Sequence, residues 1–172
     1  MKKVMLILAV LCFLPMIANG QASVARAKAM LTLNFIRYIG WTDDARQGDF
    51  VIGVLRDKEV ASQLRANSEG KKFGFQDVVV KEFKNVDEMV DCQVIYVSNT
   101  VSFSRTASQI MNKVGKGTLI ITEQEGATGS GSMINFVVRD DKLKFELSKK
   151  NASYAGIQFS SKLENMTAAI VL

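Results

Sequence analysis

Three short runs constrain the fold more than any other feature: Phe50–Arg56 (FVIGVLR), Cys92–Ser98 (CQVIYVS) and Gly117–Thr122 (GTLIIT). A strand with one face in water alternates apolar and polar residues. These runs are apolar on nearly every residue, which marks strands covered on both faces, as in a parallel sheet. The segments between them have the punctuation of helices. Asp57 caps one that extends to about Asn67, and a second runs from about Ser102 to Val114. Ser68–Gly74 reads as a loop, Phe75–Phe83 as an alternating strand at a sheet edge, and Asn85–Val90 as a helical turn. Upstream, residues 23–39 form a helix capped by Ser23 and ended by Gly40, apolar nearly all round and so buried on more than one side. The order helix, strand, helix, strand, short helix, strand, helix, strand gives βαβ units. After the Gly-rich loop Glu123–Ser132, two strands (Met133–Val138 and Leu143–Leu147) flank a tight turn at Asp140-Asp141-Lys142. Lys149–Gly156 and Phe159–Ala169 then read as two short helices. The expected fold is α/β: a single three-layer domain, its sheet mostly parallel, with a C-terminal antiparallel hairpin and terminal helices.

The N-terminus has a different character. Lys2 and Lys3 precede an apolar run from Val4 to Ile17 broken only by Pro15, and Ala18-Asn19-Gly20 supplies a small-x-small cleavage site. This is the pattern of a secretory signal peptide over residues 1–20, with cleavage after Gly20 or, alternatively, after Ala22. About 14 apolar residues fall short of the roughly 20 that a spanning helix needs. Residues 21–172 are therefore expected as one exported domain, lacking repeats, low-complexity tracts or a linker.

Export changes the charge arithmetic. The full sequence carries 22 Lys+Arg against 17 Asp+Glu, a net +5, and loss of Lys2 and Lys3 leaves 20 against 17, a net +3. The basic residues are scattered as pairs (Lys71-Lys72, Lys142/Lys144, Lys149-Lys150) with no aromatic-interleaved stripe, so nucleic acid is not an expected partner. The chain has no histidine, the commonest general base and metal ligand, and Cys92 is the only cysteine left after cleavage. No zinc-type spacing, intrachain disulfide or nucleophile–base pair can be assembled, and neither a metal nor a cofactor is expected.

The ordered set of short motifs resembles one family. Asn34-Phe35-x-x-Tyr38-x-x-Trp41 followed by Phe50-Val-Ile-Gly-Val-Leu55 is similar to the opening of the YfiR-like family of periplasmic regulatory proteins. Ser132-Met-Ile-Asn-Phe136, Lys144-Phe-Glu-Leu147, Ala152-x-x-Ala155-Gly-Ile157 and Ser160-Ser-Lys-Leu163 follow its closing pattern in order and spacing. The resemblance covers essentially residues 26–165. It departs at Thr42, where members usually have Pro, at Arg56, where they have a small residue, and at the solitary Cys92, where they often have a pair. What it implies is a non-enzymatic regulator that binds the periplasmic sensor region of an inner-membrane signalling protein. The best-known type represses a diguanylate cyclase, lowering cyclic di-GMP and biofilm formation. A homodimer is compatible with this reading. The competing reading is a periplasmic small-ligand-binding or accessory domain of another sensor or transport system, with its cleft at the strand C-terminal ends.

Individual residues sharpen these expectations. Tyr38 and Trp41, beside the polar turn Thr42–Asp49, are candidates for an exposed aromatic partner patch, with core packing the competing role. Gly129 and Gly131 lie in a loop that runs into a strand and lacks Gly-Lys-Ser/Thr, so a connector or partner contact fits better than a phosphate cradle. Asn34 and Asn135 stand among apolar neighbours and need specific hydrogen-bond partners, with Glu146 beside a basic group; together they are expected to pin the N-terminal helix to the hairpin. Ser160 and Ser161 fit the N-cap and first turn of the last helix. Ser68-Glu-Gly-Lys71 matches only the bare spacing of penicillin-interacting hydrolases, without their companion motifs. Cys92 reads as a small buried hydrophobe rather than a reactive thiol.

Overall fold

A long helix, α1 (Leu14–Ile36), opens the structure, which is a computed structural model describing the backbone of residues 14–167 and 169–171 and side chains from Val24 to Thr167. The expected signal segment lies outside the described residues over positions 1–13, and Leu14–Gly20 continue into α1. The start expected at Ser23 is corrected: the backbone is already helical at Leu14, the first described residue. α1 closes by tightened turns, with Arg37 N donating to Asn34 O at 3.1 Å and Tyr38 N to Phe35 O at 2.8 Å. Gly40 does not end it. Ile39–Gly40 form β1, which pairs antiparallel with β9 near the C-terminus.

The apolar runs become β2 (Phe50–Leu55), β5 (Val94–Val97) and β6 (Leu119–Thr122), and every residue of β5 and β6 is buried. Between and around them lie α2 (Lys58–Ser68), β3 (Lys72–Phe73), β4 (Gln76–Phe83) and α3 (Phe103–Val114). β7 (Ile134–Arg139), β8 (Lys142–Ser148), α4 (Lys149–Tyr154), β9 (Gln158–Phe159), α5 (Ser161–Glu164) and β10 (Ala169–Val171) complete the order. The main sheet has eight strands in the order β10-β8-β7-β6-β5-β2-β4-β3. Only the β7–β8 and β3–β4 pairings in it are antiparallel. β7 and β8 are joined through Asp140 and Asp141, whose φ angles of 52° and 57° make the turn follow the right-handed strand twist.

Two expectations fail in the tail and the middle. Asn85–Val90 is an Asx-type turn, in which Asn85 Oδ1 accepts from Glu88 N at 3.1 Å, and not a helix. The last helix is only Ser161–Glu164, because Gln158–Phe159 is drawn into pairing with β1 and Ala169–Val171 joins β8 as a parallel strand. Ser102 precedes α3 without a side-chain cap; Gln124 Oε1 takes the Phe103 N–H instead, at 2.9 Å.

Packing explains why these runs stay together. Phe35 of α1 is fully buried, its ring centroid 4.7 Å from Phe145 and 5.8 Å from Phe136, so α1 lies over β7 and β8. α1 and α2 pack side by side, and α2 rests on β2 and β4. Gly53 in β2 is required by close approach: a Cβ there would lie 2.7 Å from Phe83 Cε2 and 3.0 Å from Ile95 Cδ1.

Candidate functional site

The strand order reverses between β2 and β5. From β2 the chain passes through α2 to β4 on one side, then returns to β5 on the other. Doubly wound sheets open a crevice at the carboxyl ends of the strands flanking such a point. Here those ends supply Asp57, Ser98–Thr100 and Glu123. Asp57 Oδ1 caps α2 by accepting from Val60 N at 2.9 Å, and Glu123 Oε1 accepts from Asn99 N at 3.1 Å. Lys28 of α1 reaches into the same place and pairs with Glu123 Oε2, both side chains largely buried.

The electrostatics of the crevice follow from that burial. Desolvation, with the Glu123 charge adding to it, holds the Asp57 carboxyl above its ordinary range despite the opposing Val60 N–H. Desolvation, then Glu123 and Asp57, push the Tyr96 phenol far up, so it stays protonated. Tyr96 is fully buried in β5, and its hydroxyl makes no hydrogen bond of ordinary geometry. Lys28 therefore acts as an internal countercharge to Glu123 at the carboxyl ends of the strands.

Beside it lies a second polar network, on β6, β7 and β8. Asn135 is fully buried, and its Oδ1 accepts from Thr122 Oγ1 at 2.7 Å and Gln124 N at 3.0 Å. Its Nδ2 donates to Glu146 Oε2 at 3.2 Å. Glu146 Oε1 is 3.3 Å from Arg139 Nη2, which also holds Glu125 at 2.8 Å. The Glu125 carboxyl is held below its usual range by the Arg139 hydrogen bond and charge. The basic partner expected for Glu146 is thus Arg139. Asn135 pins β7 to β8 and to the β6 loop, but does not reach α1.

The other expected residues scatter. Asn34 is exposed and its side chain bonds to nothing among the described residues, which corrects its assignment as a buried pin. Met30, Asn34 and Arg37 recur at i, i+4 and i+7 as the solvent stripe of α1. Trp41 is 7% exposed, donates from Nε1 to Ile36 O at 3.0 Å and meets Phe50 edge-on at 5.1 Å. Of the two roles open to it, partner patch or core packing, its burial gives core packing, with the indole against Phe50 and Phe73. Tyr38 is half-buried, with the Lys162 ammonium 5.0 Å from its ring centre. Gly129 and Gly131 belong to a 3₁₀ turn, Ala127–Ser130, and its C-cap. That turn is tied to α4 because Asn151 Nδ2 donates to Thr128 O at 2.7 Å and Ser132 O at 2.8 Å. Ser160 caps α5, its side chain accepting from Leu163 N at 3.3 Å, and Ser161 is the helix's first residue. Cys92 is buried, and desolvation together with Asp91 pushes its thiol up to about 12.

Lys28, Asp57, Tyr96 and Glu123 were not foreseen as a group. The legible signal was Glu123 standing at the carboxyl end of a fully apolar strand; its partner is 95 residues away. The exposed Phe75 and Tyr154, fully and three-quarters exposed, also escaped notice.

Comparison with known proteins supplies the family. No functionally curated protein matches the chain. Among solved structures it is similar to a conserved domain protein from Vibrio cholerae O1 biovar El Tor strain N16961, with 12% identity and a TM-score of 0.55, over 86% of this chain and 60% of that one. It is also similar, at 11% identity and a TM-score of 0.48, to the ABC domain in complex with L-Trp from Streptococcus pneumoniae, over 70% of this chain and 55% of that one. The chain thus spans little more than half the length of these structures, and the first supports the α/β fold alone. The family model described as YfiR/HmsC-like matches residues 25–167, from the middle of α1 to the turn after α5. The chain belongs to the YfiR/HmsC-like family.

Proposed function

We propose that the protein is an exported periplasmic regulator that binds the periplasmic sensor region of an inner-membrane signalling protein, represses a diguanylate cyclase, and so lowers cyclic di-GMP and biofilm formation. The observation that carries this is the family match across residues 25–167, which takes in nearly every described element. In this reading residues 1–20 direct export, residues 21–172 act as one domain, and no catalysis is involved. Repression then means binding one conformation of the sensor better than the other, with the shift limited by that difference in affinity. Among the described residues no helix is long and apolar enough to cross a membrane. We place the partner contact at Tyr38 with Lys162 above its ring, and at the Gly129–Gly131 turn; Trp41 contributes through packing.

The test is the cyclic di-GMP level in cells lacking the chain. The reading predicts a rise that returns to normal on complementation, and again when the candidate cyclase is also deleted. An unchanged level, with the cyclase expressed, contradicts it.

A further inference from the structure

A cleft separates the C-terminal half of α1 from the segment joining α2 to β4. Its volume is about 160 Å³, and Leu33, Ile36, Phe73 and Val78 contribute apolar walls. A cavity of roughly 150 Å³ holds one small ring, so this one has room for a short hydrocarbon chain. The polar groups at its rim are of one sign. Arg37, Lys71 and Lys72 all line it, and among the described residues no acidic side chain does. Lys72 is already engaged by Asp77 at 3.0 Å. The Arg37 and Lys71 side chains have neither an ion pair nor a hydrogen bond among the described residues, and Asn34 beside them offers a free amide.

The inner wall adds a buried polar group. Ser68 is 3% exposed, and its hydroxyl reaches only Arg65 O, at 3.5 Å, the long limit of a hydrogen bond. Ser68 and Lys71, the two ends of the Ser-x-x-Lys spacing, thus face the same cleft. A guanidinium fork, an ammonium, an amide and an under-used hydroxyl around an apolar pocket match a carboxylate with a short hydrocarbon tail.

We propose that this cleft binds a small organic monoanion, an aliphatic carboxylate with its head at Arg37 and Lys71 and its chain on Leu33, Ile36, Phe73 and Val78. The site is distinct from the Lys28–Glu123 pair, and its occupancy does not depend on the partner reading above. A peptide chain suits it less well, because the cleft encloses space for one short chain and no more.

Hexanoate is the probe, titrated into the purified exported protein and followed by amide chemical shifts and calorimetry. A saturable site is expected with a Kd of about 1 mM or tighter, the range for so few non-hydrogen atoms. The shifts should centre on residues 30–37 and 68–78. Hexanamide, which keeps the chain and loses the charge, should bind at least tenfold more weakly, as should hexanoate to Arg37→Ala/Lys71→Ala. Arg37→Lys should recover part of the loss. Ser68→Ala, which removes only the hydroxyl, should weaken binding a few-fold with an unchanged circular dichroism spectrum. Equal binding of hexanamide, non-saturating shifts, or full binding by the double variant overturns the assignment. So does capture of a membrane partner that depends on Arg37 and Lys71 when hexanoate does not bind, since the cleft would then be a protein contact.

Discussion

Removing the Asn135 amide should be costly because three elements meet on it. In Asn135→Ala the Gln124 N–H loses its acceptor at 3.0 Å and the Thr122 hydroxyl loses one at 2.7 Å. Glu146 loses a donor at 3.2 Å but keeps Arg139 at 3.3 Å. Thr122 also retains Ser132 Oγ at 2.7 Å, so its loss is partial. A buried group left without a partner costs about 1–3 kcal/mol, and two affected groups plus a small void give about 3 kcal/mol in all. For a chain of this length that lowers Tm by roughly 6–12 °C. Urea unfolding followed by circular dichroism measures it, with the slope m expected to stay constant. A loss below about 0.5 kcal/mol would refute the claim that this network holds β6, β7 and β8 together. Asn135→Asp sharpens the test. It keeps an acceptor for Thr122 and Gln124 but sets a second carboxylate against Glu146, so its penalty should shrink as pH falls and the introduced carboxylate takes up a proton.

Three further outcomes follow from local geometry. Asp141→Gly should stabilise by about 0.5–1 kcal/mol in the same assay, since a residue at φ 57° in a two-residue turn is better served by glycine. Cys92 should resist an aromatic disulfide reagent in the native state and react fully in denaturant, because its thiol is buried and pushed up to about 12; rapid native labelling would contradict that burial. Asp57 has a raised carboxyl in the folded state, so the native protein binds more protons than the unfolded chain from the ordinary Asp range upward. Stability should therefore fall as pH rises through that window, and Asp57→Asn, which can still cap α2, should flatten this part of the profile. An unchanged slope would show that the Asp57 burial is compensated elsewhere.

What the sequence reveals here depends on how local the cause is. β2, β5 and β6 are legible because burial on both faces leaves no polar alternation, and the Asp57 cap because its partner is three residues away. β1, β9 and β10 are not legible: each has two or three residues, and its strand character comes only from a distant neighbour. α1 was readable as a helix but not in orientation. Its pattern is apolar nearly all round, so Asn34 looked as buried as Asn135, yet it shares the solvent stripe with Met30 and Arg37. The same limit applies at the crevice. Lys28 and Glu123 are ordinary charged residues until the topology brings α1 over the carboxyl ends of the strands. Trp41 shows the converse, an aromatic beside a polar turn whose fate was decided by Phe50 and Phe73 behind it.

Crosslinking the tagged protein in its native envelope and identifying what is captured decides whether this chain regulates by binding a membrane sensor. The expected capture is a membrane protein with a periplasmic sensor region and a cytoplasmic cyclase domain, lost when Tyr38→Ala and Lys162→Ala are combined in a chain that still folds. Capture of nothing above a mock-tagged control, from cells in which that cyclase is expressed, would contradict it.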